Sequence, residues 1–247
     1  MVDLPNLAGP PVPLKRSRHG LAWLDMLFKD HGFIRALYWH HSWVDADLMR
    51  GAQPSPARLA WAKRMGFKTV LNLRGARLSC GSYILERKAC HELGLTLVDF
   101  PIRSRAALER QTWLAACAIF DQLEYPVFMH CKAGADRTGL MAVLYLHLKR
   151  GVDLATARDQ LGLRYGHIRQ AKTGIIDYFY DQFTAEGALR GQTLPEWIES
   201  SYDRVSLDRG FRENWLAKIL VDKILRRESG SRRHLIGGGG DGVDGLR

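Results

Sequence analysis

Short apolar runs alternate with longer amphipathic stretches between residues 43 and 190. Residues 68–73 (Lys-Thr-Val-Leu-Asn-Leu), 95–101 (Leu-Thr-Leu-Val-Asp-Phe-Pro) and 126–129 (Pro-Val-Phe-Met) are brief and flanked by Gly or Pro. Their apolar and β-branched content reads as buried strands. Residues 43–51 read as a short strand pair or turn. A first helix opens at Gln53-Pro54-Ser55-Pro56, with Ser55 as N-cap and Pro56 as the first helical residue. It carries Leu59, Ala60, Trp61 and Met65 and stops at Gly66. Residues 83–93 form a second helix, ended by Gly94, and residues 108–123 a third. Residues 140–146 are the apolar body of a fourth, ended by Gly151. Asp153 caps a helix predicted to reach Tyr165, and Thr173 begins another carrying Ile175, Ile176, Tyr178, Phe179 and Phe183. Strand–helix alternation of this kind predicts the α/β class: a three-layer sandwich, its central sheet mostly parallel, with helices on both faces.

The two ends follow other patterns. Residues 1–14 are rich in Pro and apolar side chains without period, and read as a tail. Residues 17–37 have Leu21, Leu24, Leu27 and Phe28 on one helical face, bordered by Lys15, Arg16, Arg18, Lys29 and Arg35. A basic amphipathic helix either packs on the neighbouring domain or lies in a membrane interface. Residues 213–227 are again helical, and residues 229–247, with four consecutive Gly, read as disordered. The predicted organisation is a tail and basic helix (1–42), a catalytic domain (43–190), a helical extension (191–228) and a disordered tail (229–247).

Composition narrows the function. Of the 247 residues 46% are hydrophobic, enough for a full core, and the formal net charge is +10. That charge suits acidic substrates or surfaces. No apolar run approaches the roughly 20 residues of a spanning helix. Residues 1–13 have Pro and Asp where a targeting core would be apolar. The expected location is cytoplasmic, with peripheral contact at the inner membrane surface as an option. A nucleic-acid binder would interleave basic and aromatic residues on one surface; no such element stands out, so nucleic acid is not an expected partner. The sequence sets no oligomeric state. The four cysteines, Cys80, Cys90, Cys117 and Cys131, lack paired metal-ligand spacing, and His40-His41 has no carboxylate or Cys partner at ligand spacing. No metal or cofactor is expected.

Chemistry concentrates in His130-Cys131-Lys132-Ala133-Gly134-Ala135-Asp136-Arg137-Thr138-Gly139. A strand, a tight loop and a helix start make an anion cradle, because backbone N–H groups converge there and the helix dipole adds positive charge. Arg137 can clamp two phosphate oxygens through its planar fork. The same field favours a thiolate at Cys131, a nucleophile for phosphoryl transfer. His130 can donate a ring N–H to a loop carbonyl beside Cys131.

Cys, five residues, Arg, then Thr-Gly, with His before the Cys, resembles the signature loop of the cysteine-dependent protein tyrosine and dual-specificity phosphatases. The motif covers ten residues. A weaker resemblance in element order runs over residues 43–190, where Gln53-Pro54-Ser55 and Val70-Leu71-Asn72-Leu73 are similar to segments common ahead of that loop. The resemblance implies a phosphatase-type sandwich in which Cys131 attacks phosphorus and a phosphocysteine forms and is hydrolysed. It also implies that Arg137 clamps the phosphoryl group and that Thr138 donates a hydrogen bond to the sulfur. Lys132, Ala133, Gly134 and Ala135 then line the bound phosphate, with Gly134 letting N–H groups approach.

The proton donor departs from the commoner pattern. Many tyrosine phosphatases take an Asp from a loop upstream, but Pro101-Ile102-Arg103-Ser104-Arg105 has no acid before Glu109. Asp136 instead resembles the in-loop Asp of the myotubularins, the Sac-type phosphoinositide phosphatases and secreted mycobacterial and listerial phosphatases. Asp99 and Glu109 are the alternatives. Arg103 and Arg105, with Lys132, make the entrance basic, which suits a phosphorylated protein or an anionic phospholipid. The leading expectation is a metal-independent, cysteine-dependent phosphatase hydrolysing phosphomonoesters, of the protein tyrosine/dual-specificity type. Its alternatives are a lipid-phosphate phosphatase at a membrane surface and, in another class, a phosphate-binding interaction module with little turnover.

Overall fold

The computed structural model describes residues 40–216. The basic helix expected at 17–37, both tails and most of the helix expected at 213–227 lie outside the described residues. The described residues fall into two units, divided after Arg204.

Among its described residues the first unit is built on five strands: β1 (His41–Trp43), β2 (Leu48–Ala52), β3 (Thr69–Asn72), β4 (Thr96–Asp99) and β5 (Val127–Cys131). Their order across the sheet is β1-β2-β5-β3-β4. Only β1 runs antiparallel to its neighbour, β2; the other pairings are parallel. Every residue of β2, β3 and β5 is buried. Continuous burial is what a parallel strand covered on both faces requires, and it explains the unbroken apolar runs.

Around the sheet, among the described residues, stand the helices α1 (Pro56–Arg64), α2 (Gly81–Leu93), α3 (Arg110–Ala118), α4 (Asp136–Leu144), α5 (Leu154–Ala157), α6 (Ile175–Glu186) and α7 (Leu194–Ser200). Ser55 caps α1 by accepting from the Arg58 N–H, with Pro56 in the first turn, and left-handed Gly94 ends α2, as expected. Leu59 and Ala62 of α1 and Tyr83 and Ala89 of α2 pack with Met49, Val70, Leu97 and Phe128 of the sheet. Trp113 of α3 stacks on Phe179 of α6 at 3.6 Å between ring centroids. Trp197 and Tyr202 meet Phe179 edge-on. The segment after α6 is held by Arg110, which donates to the carbonyls of Glu199 and Tyr202, and by the Tyr202 hydroxyl, which donates to Leu108 O.

Three elements differ from expectation. The helix predicted over 108–123 is α3 followed by a 3-10 turn, Ile119–Asp121. The fourth helix starts at Asp136, before its apolar body, and closes in a π-helical turn, Tyr145–Lys149. The helix predicted from Asp153 to Tyr165 is only α5, then 3-10 turns Arg158–Leu161 and Leu163–Tyr165 parted at Gly162. Asp153 does cap it, accepting from the Thr156 N–H. The break has a physical cause: the Gln160 carbonyl, which a continuing helix would use for its own ladder, accepts at 2.6 Å from Nη1 of Arg50.

Ala52 pairs with Cys131, Asn72 with His130 and Asn72 with Asp99 in the strand register. The carboxyl ends of β2, β5, β3 and β4 therefore line up at one edge, where open α/β sheets bind ligands. No helix among the described residues is long and apolar enough to cross a membrane.

Candidate active site

Strand β5 ends on Cys131 and α4 begins at Asp136, so residues 132–135 must turn within four positions. The turn depends on Gly134, which has a positive φ of 76°. A Cβ there would stand 2.7 Å from the Gly51 carbonyl carbon and 2.8 Å from the Ala52 nitrogen, so loop and strand β2 touch backbone to backbone. This packing aims the Gly134 N–H at the Cys131 sulfur, N to Sγ 3.2 Å.

Arg50 supports the loop from behind. Its side chain is fully buried. Nη2 donates to Gly134 O and Ala135 O, each at 2.9 Å, and to Thr138 Oγ1 at 3.3 Å; Nη1 donates to both Gln160 oxygens. A trans peptide points its C=O and N–H in opposite directions. Carbonyls drawn to Arg50 therefore turn the N–H groups of Ala135 and Asp136 to the other side, into the cradle. The guanidinium also lies over the Tyr165 ring, 4.1 Å from its centroid. Burial lowers its pKa to about 10, opposed by Tyr165 and Cys131, and it stays cationic at neutral pH. Sequence reading missed this residue; the available signal was a charge inside the buried run Leu48–Ala52.

Replacing Arg50 by Met will leave the carbonyls of Gly134, Ala135 and Gln160 without their buried donor. Denaturant unfolding should show a loss of about 3 kcal/mol or more, and affinity for inorganic phosphate should fall with it. Unchanged stability and phosphate binding in Arg50→Met would contradict this role.

Thr138 Oγ1 donates to Ala135 O at 3.3 Å and accepts from Arg50, so its hydrogen bonds go to the loop frame, while Sγ takes its bond from Gly134 N. Arg137 reaches across to the residue after β3, where Nη1 donates to Leu73 O at 3.2 Å. The Ile102 N–H donates to the same carbonyl at 3.4 Å, tying the loop after β4 to the cradle side. Arg103 and Arg105 of that loop are exposed, as are Lys132 and Ala133.

His130 is buried with Nδ1 3.3 Å from Cys131 O. Its Nε2 lies 2.5 Å from Glu86 Oε1, an ion-pair distance off the ideal hydrogen-bond direction. Glu86 Oε2 accepts from Gln53, and Gln53 Oε1 accepts from Arg74. Glu86, Gln53 and Arg74 come from three separate segments, so no local pattern announced the chain of contacts.

The three acid candidates fare differently. Asp99 is 2% exposed; it accepts from Asn72 Nδ2 at 2.7 Å and from the Tyr83 hydroxyl at 2.5 Å. Burial raises its pKa, with those two bonds opposing. Glu109 is exposed at the start of α3 and pairs with Arg204. The Asp136 side chain is 29% exposed, and its Oδ1 lies 2.7 Å from His167 Nδ1. His167 in turn has Nε2 2.7 Å from Asp177 Oδ2. Among the described residues, no group of three or more His, Cys, Asp or Glu could hold a metal ion.

A mostly parallel sheet whose middle strand delivers His-Cys-x5-Arg-Thr-Gly at its carboxyl edge defines a phosphatase of the protein tyrosine/dual-specificity class. The chain belongs to the family described as DSP-PTPase phosphatase fused to NAD+ kinase, whose family model matches residues 38–175. It is 27% identical over 154 residues to the probable chloroplastic NAD kinase 2 of Oryza sativa subsp. japonica, covering 61% of this chain and 16% of that protein. Over 94 residues it is 33% identical to the chloroplastic NAD kinase 2 of Arabidopsis thaliana, covering 37% of this chain and 10% of that protein. The chain thus spans a small part of the curated relatives it matches. Among solved structures, P. aeruginosa TpbA in complex with phosphotyrosine aligns at 24% identity and a TM-score of 0.41, over 49% of this chain and 70% of that chain.

Proposed function

We propose that the protein hydrolyses phosphomonoesters through a phosphocysteine at Cys131. The observation that carries this reading is the loop geometry: Gly134 N–H donates to Sγ while Arg50 turns the loop carbonyls away. Partial positive charge then converges around the sulfur that makes the attack. The N–H groups that the loop turns into the cradle, those of Ala135 and Asp136 among them, hold the equatorial phosphoryl oxygens with the Arg137 fork. The thiolate attacks phosphorus in line, an S–P bond forms and the ester P–O bond breaks. The leaving oxygen takes a proton from Asp136. Water then attacks phosphorus, Asp136 takes the proton back, and inorganic phosphate leaves with the thiolate restored. His130 and Thr138 keep the loop in shape. Arg137 and the N–H groups carry the charge that a metal carries elsewhere, so the step calls for no metal.

Phosphorylated protein, phosphotyrosine first, is the favoured substrate. The exposed Arg103, Arg105 and Lys132 favour a second reading, a phospholipid headgroup with more than one negative group. A thiolate enzyme needs a reducing compartment, which supports a cytoplasmic site of action. A phosphate-release screen separates these readings. It should compare phosphotyrosine, phosphoserine and phosphothreonine peptides, phosphoinositides, lipid-linked phosphates and NADP, whose 2′-phosphate is the monoester an NAD kinase makes. Release from phosphotyrosine peptides, unchanged by EDTA, is the expected result. Preference for phosphoinositide vesicles would select the second reading, and EDTA-sensitive release would overturn the mechanism.

The acid has its own test. Asp136→Asn should lower kcat on phenyl phosphate by roughly 10²–10⁴-fold, or about 3–5 kcal/mol of barrier. On nitrophenyl phosphate, whose leaving group needs little protonation, the loss should be far smaller. Equal losses on both esters, or the contrast appearing in Asp99→Asn instead, would reject the in-loop acid.

A further inference from the structure

We infer that His167 is a positioning residue for proton transfer, held between Asp136 and Asp177 so that one oxygen of Asp136 is fixed and the other is presented to the leaving group. The inference rests on Asp136 as the acid.

Three observations carry it. Each ring nitrogen of His167 faces a carboxylate oxygen at 2.7 Å, Nδ1 to Asp136 and Nε2 to Asp177. Carboxylates only accept, so both nitrogens are donors and the ring is an imidazolium. Second, exposure rises along the triad: 9% for the Asp177 side chain, 0% for His167 and 29% for Asp136. The chain of contacts is closed at its far end and opens at Asp136, and Asp136 Oδ2 has no hydrogen bond among the described residues. Third, the turn that delivers His167 lies against the cradle. Gly166 adopts a positive φ of 78°, and a Cβ there would stand 3.7 Å from the Ala135 Cβ. His167 thus reaches Asp136 from a segment packed on the phosphate loop.

Stability alone gives little reason for the arrangement, because taking charges out of water costs several kcal/mol per ion before pairing returns it. Catalysis gives one. Asp177 offsets the charge of the ring, and the ring orients Asp136. The fixed ring then keeps Asp136 in one orientation through both halves of the cycle, as it gives its proton to the leaving oxygen and as its carboxylate takes one from water. Burial opposes the charged ring, but the bonds to Asp136 and Asp177 outweigh it, and it titrates at about 9 instead of 6.5.

Asn at this position keeps an amide N–H near the place of Nδ1, whereas Leu removes both donors. In His167→Leu, kcat on phenyl phosphate should fall about 10–100-fold, the range seen when a supporting hydrogen bond to a working side chain is lost, with KM nearly unchanged. Nitrophenyl phosphate should be affected much less, and His167→Asn should recover part of the loss. In the Asp136→Asn background, His167→Leu should cost nothing further. Should His167→Leu fail to fold by circular dichroism, Asp177→Asn is the second variant and must show the same contrast between esters. Equal loss on both esters, wild-type kcat on phenyl phosphate, or full additivity with Asp136→Asn overturns the inference while the contrast in Asp136→Asn stands. Absence of that contrast in Asp136→Asn itself instead removes the acid assignment, and the role of His167 goes with it.

Discussion

Cys131→Ser should lose turnover by roughly 10⁴–10⁶-fold, the scale seen when a covalent nucleophile is removed, and still bind phosphate. The loss corresponds to about 5–8 kcal/mol of barrier. A serine hydroxyl is far less acidic than a thiol and a far weaker nucleophile in the same place. The elements that hold phosphate do not involve the sulfur. Gly134 owes its conformation to contact with Gly51 and Ala52, and the loop carbonyls answer to Arg50. Ser is smaller than Cys and meets no new contact. Titration with inorganic phosphate should therefore give an affinity within a few-fold of wild type, beside a near-zero rate. A purified Cys131→Ser protein with substantial activity would contradict the nucleophile assignment.

Arg137→Lys is expected to be the second largest loss, about 10³-fold or more in kcat, as when an arginine that stabilises phosphoryl transfer is removed. One arm of the Arg137 fork is already engaged with Leu73 O. That anchor fixes the guanidinium plane, so the remaining N–H groups meet the phosphoryl oxygens at a set angle. A lysine ammonium is a point charge on a flexible stem and cannot anchor and clamp together. Affinity for phosphate should fall less than kcat, because the charge is retained and the backbone N–H groups are unaltered. Equal kcat in Arg137→Lys and wild type would show that charge alone suffices and that the fork geometry has no role.

Local signals and long-range contacts explain what the sequence disclosed. Strands β3, β4 and β5 were legible because a buried parallel strand needs an unbroken apolar run, and Val127-Phe128-Met129 is one. Ser55-Pro56 and Asp153 marked helix starts because capping is chemistry within four residues. Likewise the cradle was legible as a motif, since the whole loop lies within ten residues.

What was missed acts across the sheet. Arg50 meets Gly134 and Gln160, 84 and 110 positions further along, so no periodicity encodes it. The same contact explains the overestimated helix after Asp153: the amphipathic pattern continues, but the Gln160 carbonyl is taken by Arg50. Glu86 lies inside the helix expected over 83–93 with no local feature to single it out, yet it faces His130 from 44 positions away with both side chains out of water. His167 follows a Gly in a stretch without regular pattern, and its partners lie 31 residues before it and 10 after. For Arg50 the signal was a charge inside an otherwise buried strand, visible once the strands were paired.

The phosphocysteine is the centre of the account, and rapid quenching tests it directly. Wild-type protein is mixed with a good substrate such as nitrophenyl phosphate, stopped within one turnover, and its peptides are weighed by mass spectrometry. The peptide carrying Cys131 should gain the mass of one phosphoryl group, in a label that chases into inorganic phosphate and is missing from Cys131→Ser. Active protein that never carries phosphoryl on Cys131, or that carries it on another residue, would contradict the mechanism.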